Sequence, residues 1–277
     1  SDHLYLVPRI IPYLGVPDRK AIERGLEEAV ARAYPEAVGT LGAFYSDTGQ
    51  TLDAARVYEQ GAATARDAAR RYQLLMLAGQ AYARLGNLDA ARRDYEDARV
   101  IEPQNPEPYS ALTSQVFGPR KQVAEAESLL RQGLDAGADP APLFAEFARV
   151  AEAAGQRDKA RAALKKMVEY DPSYDNLLRL GSYYLATHNY ARASETFRRT
   201  TDIDPHDPRG WLNLATAEED SYQYVAANGD YERAVALDPH DAGIHARFAA
   251  FKRKLAAGGA DAVAPVSPPA PVSADPN

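Results

Sequence analysis

Small and aromatic residues recur along this chain at a fixed interval. Gly79, Tyr82, Ala91, Tyr95 and Pro103 return as Gly181, Tyr184, Ala193, Phe197 and Pro205, three intervals of about 34 residues later. One interval beyond these come Ala227, Tyr231 and Pro239, and Trp211 stands one interval after Leu177. Between the markers the apolar residues follow helical spacing and no strand-like alternation. An interval of this length with that periodicity predicts stacked helix pairs, each unable to bury its apolar face alone.

Along the chain, residues 1–17 form an apolar strip (Leu4, Leu6, Val7, Ile10, Ile11 and Tyr13) interrupted by Pro8, Pro12 and Pro17, which favours extended structure. Ile22, Leu26, Ala29, Val30 and Ala33 predict an N-terminal helix over 18–34. The repeats then fill 35–240, with turns at Thr48-Gly49, Gly86-Asn87, Gly155 and His188. The third repeat is degenerate: Tyr109, Leu112 and Phe117 suggest a short first helix broken at Gly118-Pro119. The sixth departs by placing Glu218 where an apolar residue is expected and Asn228-Gly229 inside its second helix, which suggests an extended first helix and a late turn. Residues 241–256 predict a capping helix with Ile244, Phe248, Phe251 and Leu255 on one face. Pro265, Pro268, Pro269, Pro271 and Pro276 among Ala, Val and Ser predict a disordered tail over 257–277.

These residues resemble the tetratricopeptide repeat family over roughly 35–240. The resemblance implies an all-α, right-handed α-solenoid of about six helix-turn-helix repeats with a C-terminal capping helix. Gly42, Gly79 and Gly181, or Ala148 and Ala215, fall where two helix backbones approach closely, opposite Ala54, Ala91, Ala160, Ala193 and Ala227. Tyr45, Tyr82 and Tyr184 are expected to fill the groove between paired helices. Tyr58, Tyr95, Phe197 and Tyr231 are expected to press on the following pair. Glu102-Pro103, Asp171-Pro172, Asp204-Pro205 and Asp238-Pro239 are four versions of one helix stop.

Composition narrows the chemistry. The 277 residues contain no cysteine, so disulfides, thiolate metal sites and cysteine nucleophiles are excluded. A net charge of −7 argues against a general nucleic-acid surface, and no apolar run approaches the length of a membrane span. His206 and His240 lie in matching Asp-Pro-His-Asp turns, best read as hydrated turns and not as metal ligands. Glu218, Glu219 and Asp220 read as an exposed acidic patch on a helix. No phosphate-binding glycine loop, His-Glu-x-x-His or Gly-x-Ser-x-Gly occurs. The expectation is no catalytic residue, no metal, no cofactor and no enzyme.

What remains for function is a face. The resemblance implies that the first helix of each pair lines a concave groove that takes a partner peptide or helix. By register that groove presents Met76, Gln80, Arg84, Arg149, Glu152, Arg179, Ser182, Asn213, Thr216 and Glu219. The family's clamp for a terminal carboxylate is missing, because Met76 and Gln80 in one repeat, and Leu178 and Ser182 in another, stand at its Lys and Asn positions. The expected role is a non-enzymatic protein-interaction scaffold. The alternative is a soluble accessory region of a bacterial envelope machine such as a polysaccharide polymerase, ligase or exporter, or a pilus-assembly system. The absence of an initiating Met and the apolar strip suggest an envelope or periplasmic setting over a cytoplasmic one, with the strip packing on a membrane protein or another copy.

Overall fold

A computed structural model describes residues 16–34 and 36–257. The apolar strip through Gly15, Pro35 and the tail from Gly258 lie outside the described residues. Among those described, the chain is all-α and contains no strand.

The helices are α1 (Val16–Ala31), α2 (Ala37–Asp47), α3 (Thr51–Thr64), α4 (Ala68–Arg84), α5 (Leu88–Ile101) and α6 (Pro106–Ala111). A π-helical segment, Leu112–Phe117, continues α6 and is followed by α7 (Val123–Asp135). Then come α8 (Pro140–Ala153), α9 (Arg157–Tyr170), α10 (Tyr174–Ala186), α11 (Tyr190–Ile203), α12 (Pro208–Asp220), α13 (Tyr224–Leu237) and α14 (Ala242–Ala257). They form two compact units that divide after Pro172. The first holds α1 and four helix pairs. The second holds two pairs and α14. Within each unit, successive helices pack on their chain neighbours, as a stacked repeat requires.

The ends are set by local chemistry. The carboxylates of Asp67, Asp139, Asp207 and Asp241, and the amide oxygens of Asn87, Asn105 and Asn189, accept from backbone N–H groups of the first turns they cap. Pro106, Pro140 and Pro208 open helices where no amide donor is needed. Helices α5, α9, α11 and α13 all stop two residues before a proline. After α5, α11 and α13 that proline's carbonyl is then tied back six residues on. Tyr109 Oη donates to Pro103 O at 2.9 Å, Trp211 Nε1 donates to Pro205 O at 3.0 Å, and His245 Nε2 lies 2.9 Å from Pro239 O. Each tie fixes the angle at which one pair hands over to the next.

Inside a pair, glycine on the first helix receives an aromatic ring from the second. A Cβ at Gly79 would lie 2.6 Å from the Tyr95 ring, one at Gly181 would lie 2.5 Å from the Phe197 ring, and Gly42 faces Tyr58 in the same way. Tyr58, Tyr95 and Phe197 thus lie against their own pair's glycine, a contact not assigned from the spacing. The tip of Tyr95 does reach onward, donating to Gln115 Oε1 at 2.8 Å. Tyr231, opposite the larger Ala215, packs outward on Phe248 and Phe251 of α14, with ring centroids 5.5 and 5.1 Å away. Tyr45 and Tyr82 are buried and reach backward: their hydroxyls donate to Glu27 of α1 and Glu59 of α3.

The sixth pair is corrected too. Helix α12 ends at Asp220 and α13 begins at Tyr224, so there is neither an extended first helix nor a late turn, and Asn228-Gly229 lie inside α13. At the N-terminus α1 stops at Ala31, and Ala33 leaves the helix with a φ of 55°.

The turn joining paired helices needs one residue of left-handed backbone. Gly49, Gly86 and Gly155 supply it with φ of 82°, 74° and 74°, whereas Lys121, His188 and Tyr222 hold φ of 52°, 60° and 63°. A side chain there costs roughly 1–2 kcal/mol, offset in part by the chain entropy glycine would lose. Because the Tyr222 side chain is exposed, Tyr222→Gly is expected to stabilise by about 0.5 kcal/mol or more. A thermal melt checks this: a higher midpoint is expected, and an unchanged or lower one would show that the Tyr222 ring contributes packing that offsets or outweighs its strain.

Candidate functional site

The first helices of each pair carry the residues that sequence register assigns to a docking face. In the first unit, Arg84 is exposed at the end of α4 and Gln80 is half-buried one turn before it. Met76 is only 4% exposed and belongs to the core, so it offers a partner nothing. On α8, Arg149 and Glu152 are exposed, and Arg149 pairs with Glu146 at 3.3 Å. Arg84 and Arg149 lie on helices two pairs apart, and no described contact joins them.

In the second unit, Ser182 of α10 is exposed, and Arg179 of α10 and Asn213 of α12 are half-buried. Thr216 departs from the expectation. It is buried, donates to Leu212 O at 2.8 Å and accepts from Arg247 Nη2 at 3.1 Å, so it joins α12 to α14. Glu219 is half-buried and doubly engaged, by the Tyr231 hydroxyl at 2.8 Å and Lys254 Nζ at 2.9 Å. The face of α12 and α14 is therefore a built polar surface, with Arg247 and Lys254 held from beneath by Thr216 and Glu219.

The expected acidic patch at Glu218–Asp220 is corrected by burial. Glu218 is 2% exposed, and its Oε1 accepts from Arg198 Nη2 of α11 at 3.1 Å. Its Oε2 has no hydrogen-bond partner. Burial raises its pKa, the neighbouring Asp230 on α13 raises it further, and Arg198 opposes both. Asp230 is itself raised by burial. Two carboxyls facing one guanidinium in a desolvated space hold a proton between them more readily than either would in water.

A second buried acid was not anticipated. Asp94 of α5 is 4% exposed, and its Oδ2 is buried without a partner. Burial, then the charge of Glu59, push its pKa up to about 7, with Arg93 opposing. The signal was present in the register. Asp94 and Asp230 each precede the buried aromatic of the second helix (Tyr95, Tyr231), and the same position in the fifth pair is the buried Thr196. An acid at a position that faces inward is a desolvated acid.

An open cleft of about 310 Å³ lies between α7, α8 and α9, floored by Leu130, Phe144 and Phe147 and rimmed by Arg131, Lys159 and Lys166. Among the described residues no group of three metal-ligating side chains converges, and no helix is long and apolar enough to cross a membrane. His206 and His240 sit in turns where the preceding aspartates accept their backbone N–H groups, at 2.9 and 3.2 Å.

With this geometry in view, models of the tetratricopeptide repeat match residues 45–106 and 151–217. The chain is a tetratricopeptide repeat protein. No curated protein matches the sequence. Among solved structures, PilW, a widely conserved type IV pilus biogenesis factor, is 15% identical with a TM-score of 0.52, over 74% of this chain and 94% of its own. A tetratricopeptide repeat protein from Parabacteroides merdae is 14% identical, with a TM-score of 0.49 over 91% of this chain and 98% of its own. YrrB, a TPR protein with an unusual peptide-binding site, is 18% identical, with a TM-score of 0.48 over 70% of this chain and 98% of its own. At these identities the likeness concerns the fold.

The buried Asp94 makes stability depend on pH in a stated direction. A carboxyl near 4 when unfolded and about 7 when folded binds more protons in the native state between those values, so its penalty grows as pH rises from about 4 and is complete above about 7. Asp94→Asn removes the penalty. The variant is expected to be more stable than the parent at pH 8, by on the order of 2 kcal/mol, and to match it near pH 4. Urea melts at the two pH values check this. Destabilisation at pH 8 that disappears near pH 4 would show that the carboxylate is paired, not stranded.

Proposed function

We propose that this chain is a non-enzymatic scaffold that docks a peptide or helix of a partner protein on the exterior of its first helices. The observation that carries the reading is the division of labour within each pair. Aromatic and small residues are consumed in packing, while the first helices carry Gln80, Arg84, Arg149 and Glu152 in one unit and Arg179, Ser182 and Asn213 in the other at least partly open to solvent. Polar groups held on rigid helices are pre-organised and lose little freedom on binding. Met76 and Thr216 are left out of this face, and Glu219 takes part through the groups it orients.

A second reading sets the array in a bacterial envelope assembly, in the periplasm or at the envelope, as an accessory of polysaccharide polymerisation, ligation or export, or of pilus assembly. The apolar residues Leu4, Leu6, Ile10 and Ile11 motivate it, and a pilus biogenesis factor is one case of this fold in such a system. On either reading the work is to position other molecules.

The test is affinity capture with the intact chain and with Arg149→Glu/Arg179→Glu, the captured partner being identified and quantified. Reversing one charge on the first helices of each unit is expected to lower capture at least about tenfold. Capture of the same partner at the same level by the reversed chain would overturn the assignment of the docking face.

A further inference from the structure

We propose that α14 is the docking element for an acidic segment of a partner protein, a conclusion that rests on the scaffold reading and names the chemistry of its partner. Helix α14 carries Arg247, Lys252, Arg253 and Lys254 together with His245, and no acidic residue, in a chain whose formal net charge is −7. A terminal repeat needs a polar outer face for solubility, and mixed charges meet that need. A single sign of charge on this helix is a separate feature.

The placement of those cations follows from the helix. Ile244, Phe248 and Phe251 are buried, and at 3.6 residues per turn Arg253 stands opposite them. Arg247 and Lys254 occupy the flank toward α12, where they bond Thr216 and Glu219, and Lys252 lies on the other flank with its ammonium 3.8 Å from the Phe248 ring centroid. Between Arg247 and Arg253 the exposed surface consists of Gly243, Ala246 and Ala250, so a chain can approach the helix backbone there. Some surface cations elsewhere find carboxylates along or between helices, as Arg92 does with Glu96 and Lys159 with Glu127. On α14 only Lys254 has an ion pair among the described residues.

Charge complementarity selects the occupant. Arg247 and Arg253 are about 9 Å apart along the axis, the distance an extended chain covers in about three residues. In a polyproline-II-like extended segment, with three residues per turn, acidic residues three apart fall on one side and meet both guanidiniums. A flat anionic bilayer matches less well. The cations fan over more than half of the helix circumference, so a plane that meets Arg253 leaves the flanks behind, and the apolar residues of α14 are already committed to the core.

Titration of a fluorescent deca-glutamate peptide with the full chain, read by anisotropy, tests the assignment. Saturable binding is expected, weakening with salt and falling at least about tenfold in Lys252→Glu/Arg253→Glu, while Lys165→Glu, at an exposed position of α9 in the other unit, leaves it unchanged. Thermal melts establish that the variants fold, and Lys252→Gln/Arg253→Gln, which only removes the charges, is expected to fall in between. Undiminished affinity in the charge-reversed chain, no saturable binding, or sedimentation with phosphatidylserine vesicles in preference to the peptide would overturn the proposal. If the peptide fails while Arg149→Glu/Arg179→Glu still lowers partner capture, the scaffold reading stands and only the acidic partner falls.

Discussion

An aromatic ring lying on a glycine is the contact around which three of the helix pairs are built. Tyr58 on Gly42, Tyr95 on Gly79 and Phe197 on Gly181 let two helix backbones approach with no Cβ between them. The rest follows in order. Close approach within the pair leaves the first helix's other side free, the turn must then reverse the chain in a left-handed residue, and the stop before each proline sets where the next pair begins. Where the glycine is replaced by Ala215, the ring of Tyr231 turns its contacts to α14, and the unit is closed by the Phe248 and Phe251 rings stacked there.

Buried acids run against this economy of packing. Asp94 occupies an inward position without a hydrogen-bond partner for one oxygen. Glu218 and Asp230 share a desolvated space with Arg198. The two cases differ physically. Asp94 meets the like charge of Glu59 and can relieve its burial by protonation, whereas Glu218 has a guanidinium 3.1 Å away that favours the charged form. Both place a titratable carboxyl in the interior of a repeat, among apolar packing and the hydrogen bonds of Tyr45, Tyr82 and Thr216.

The period was legible because each marker answers a steric demand that recurs with every pair. His188 could be placed in the turn for the same reason, since it stands where Gly86 and Gly155 stand. The direction in which Tyr95 packs was not legible, because a ring that fits a glycine in its own pair and one that fits the next pair obey the same spacing. Met76 and Thr216 were misplaced because register fixes the side of a helix, and not how far a neighbouring helix covers it. Glu218 was noticed as a departure yet read as exposed, since a run of three acids looks solvated until Arg198 from another helix is seen beneath it. The cations of α14 stand in the sequence among its apolar residues, but which of them find carboxylate partners depends on what α12 and α13 present.

The contact that organises the pairs is tested most directly by a double-mutant cycle on Gly181 and Phe197. Unfolding free energies of the parent, Gly181→Ala, Phe197→Leu and the double variant isolate the coupling of the two positions. The added methyl is expected to cost on the order of 1–3 kcal/mol opposite the ring and much less once the ring is shortened, a coupling of about 1 kcal/mol or more. Costs that add within about 0.5 kcal/mol would contradict the account, because the glycine would then serve something other than the ring upon it.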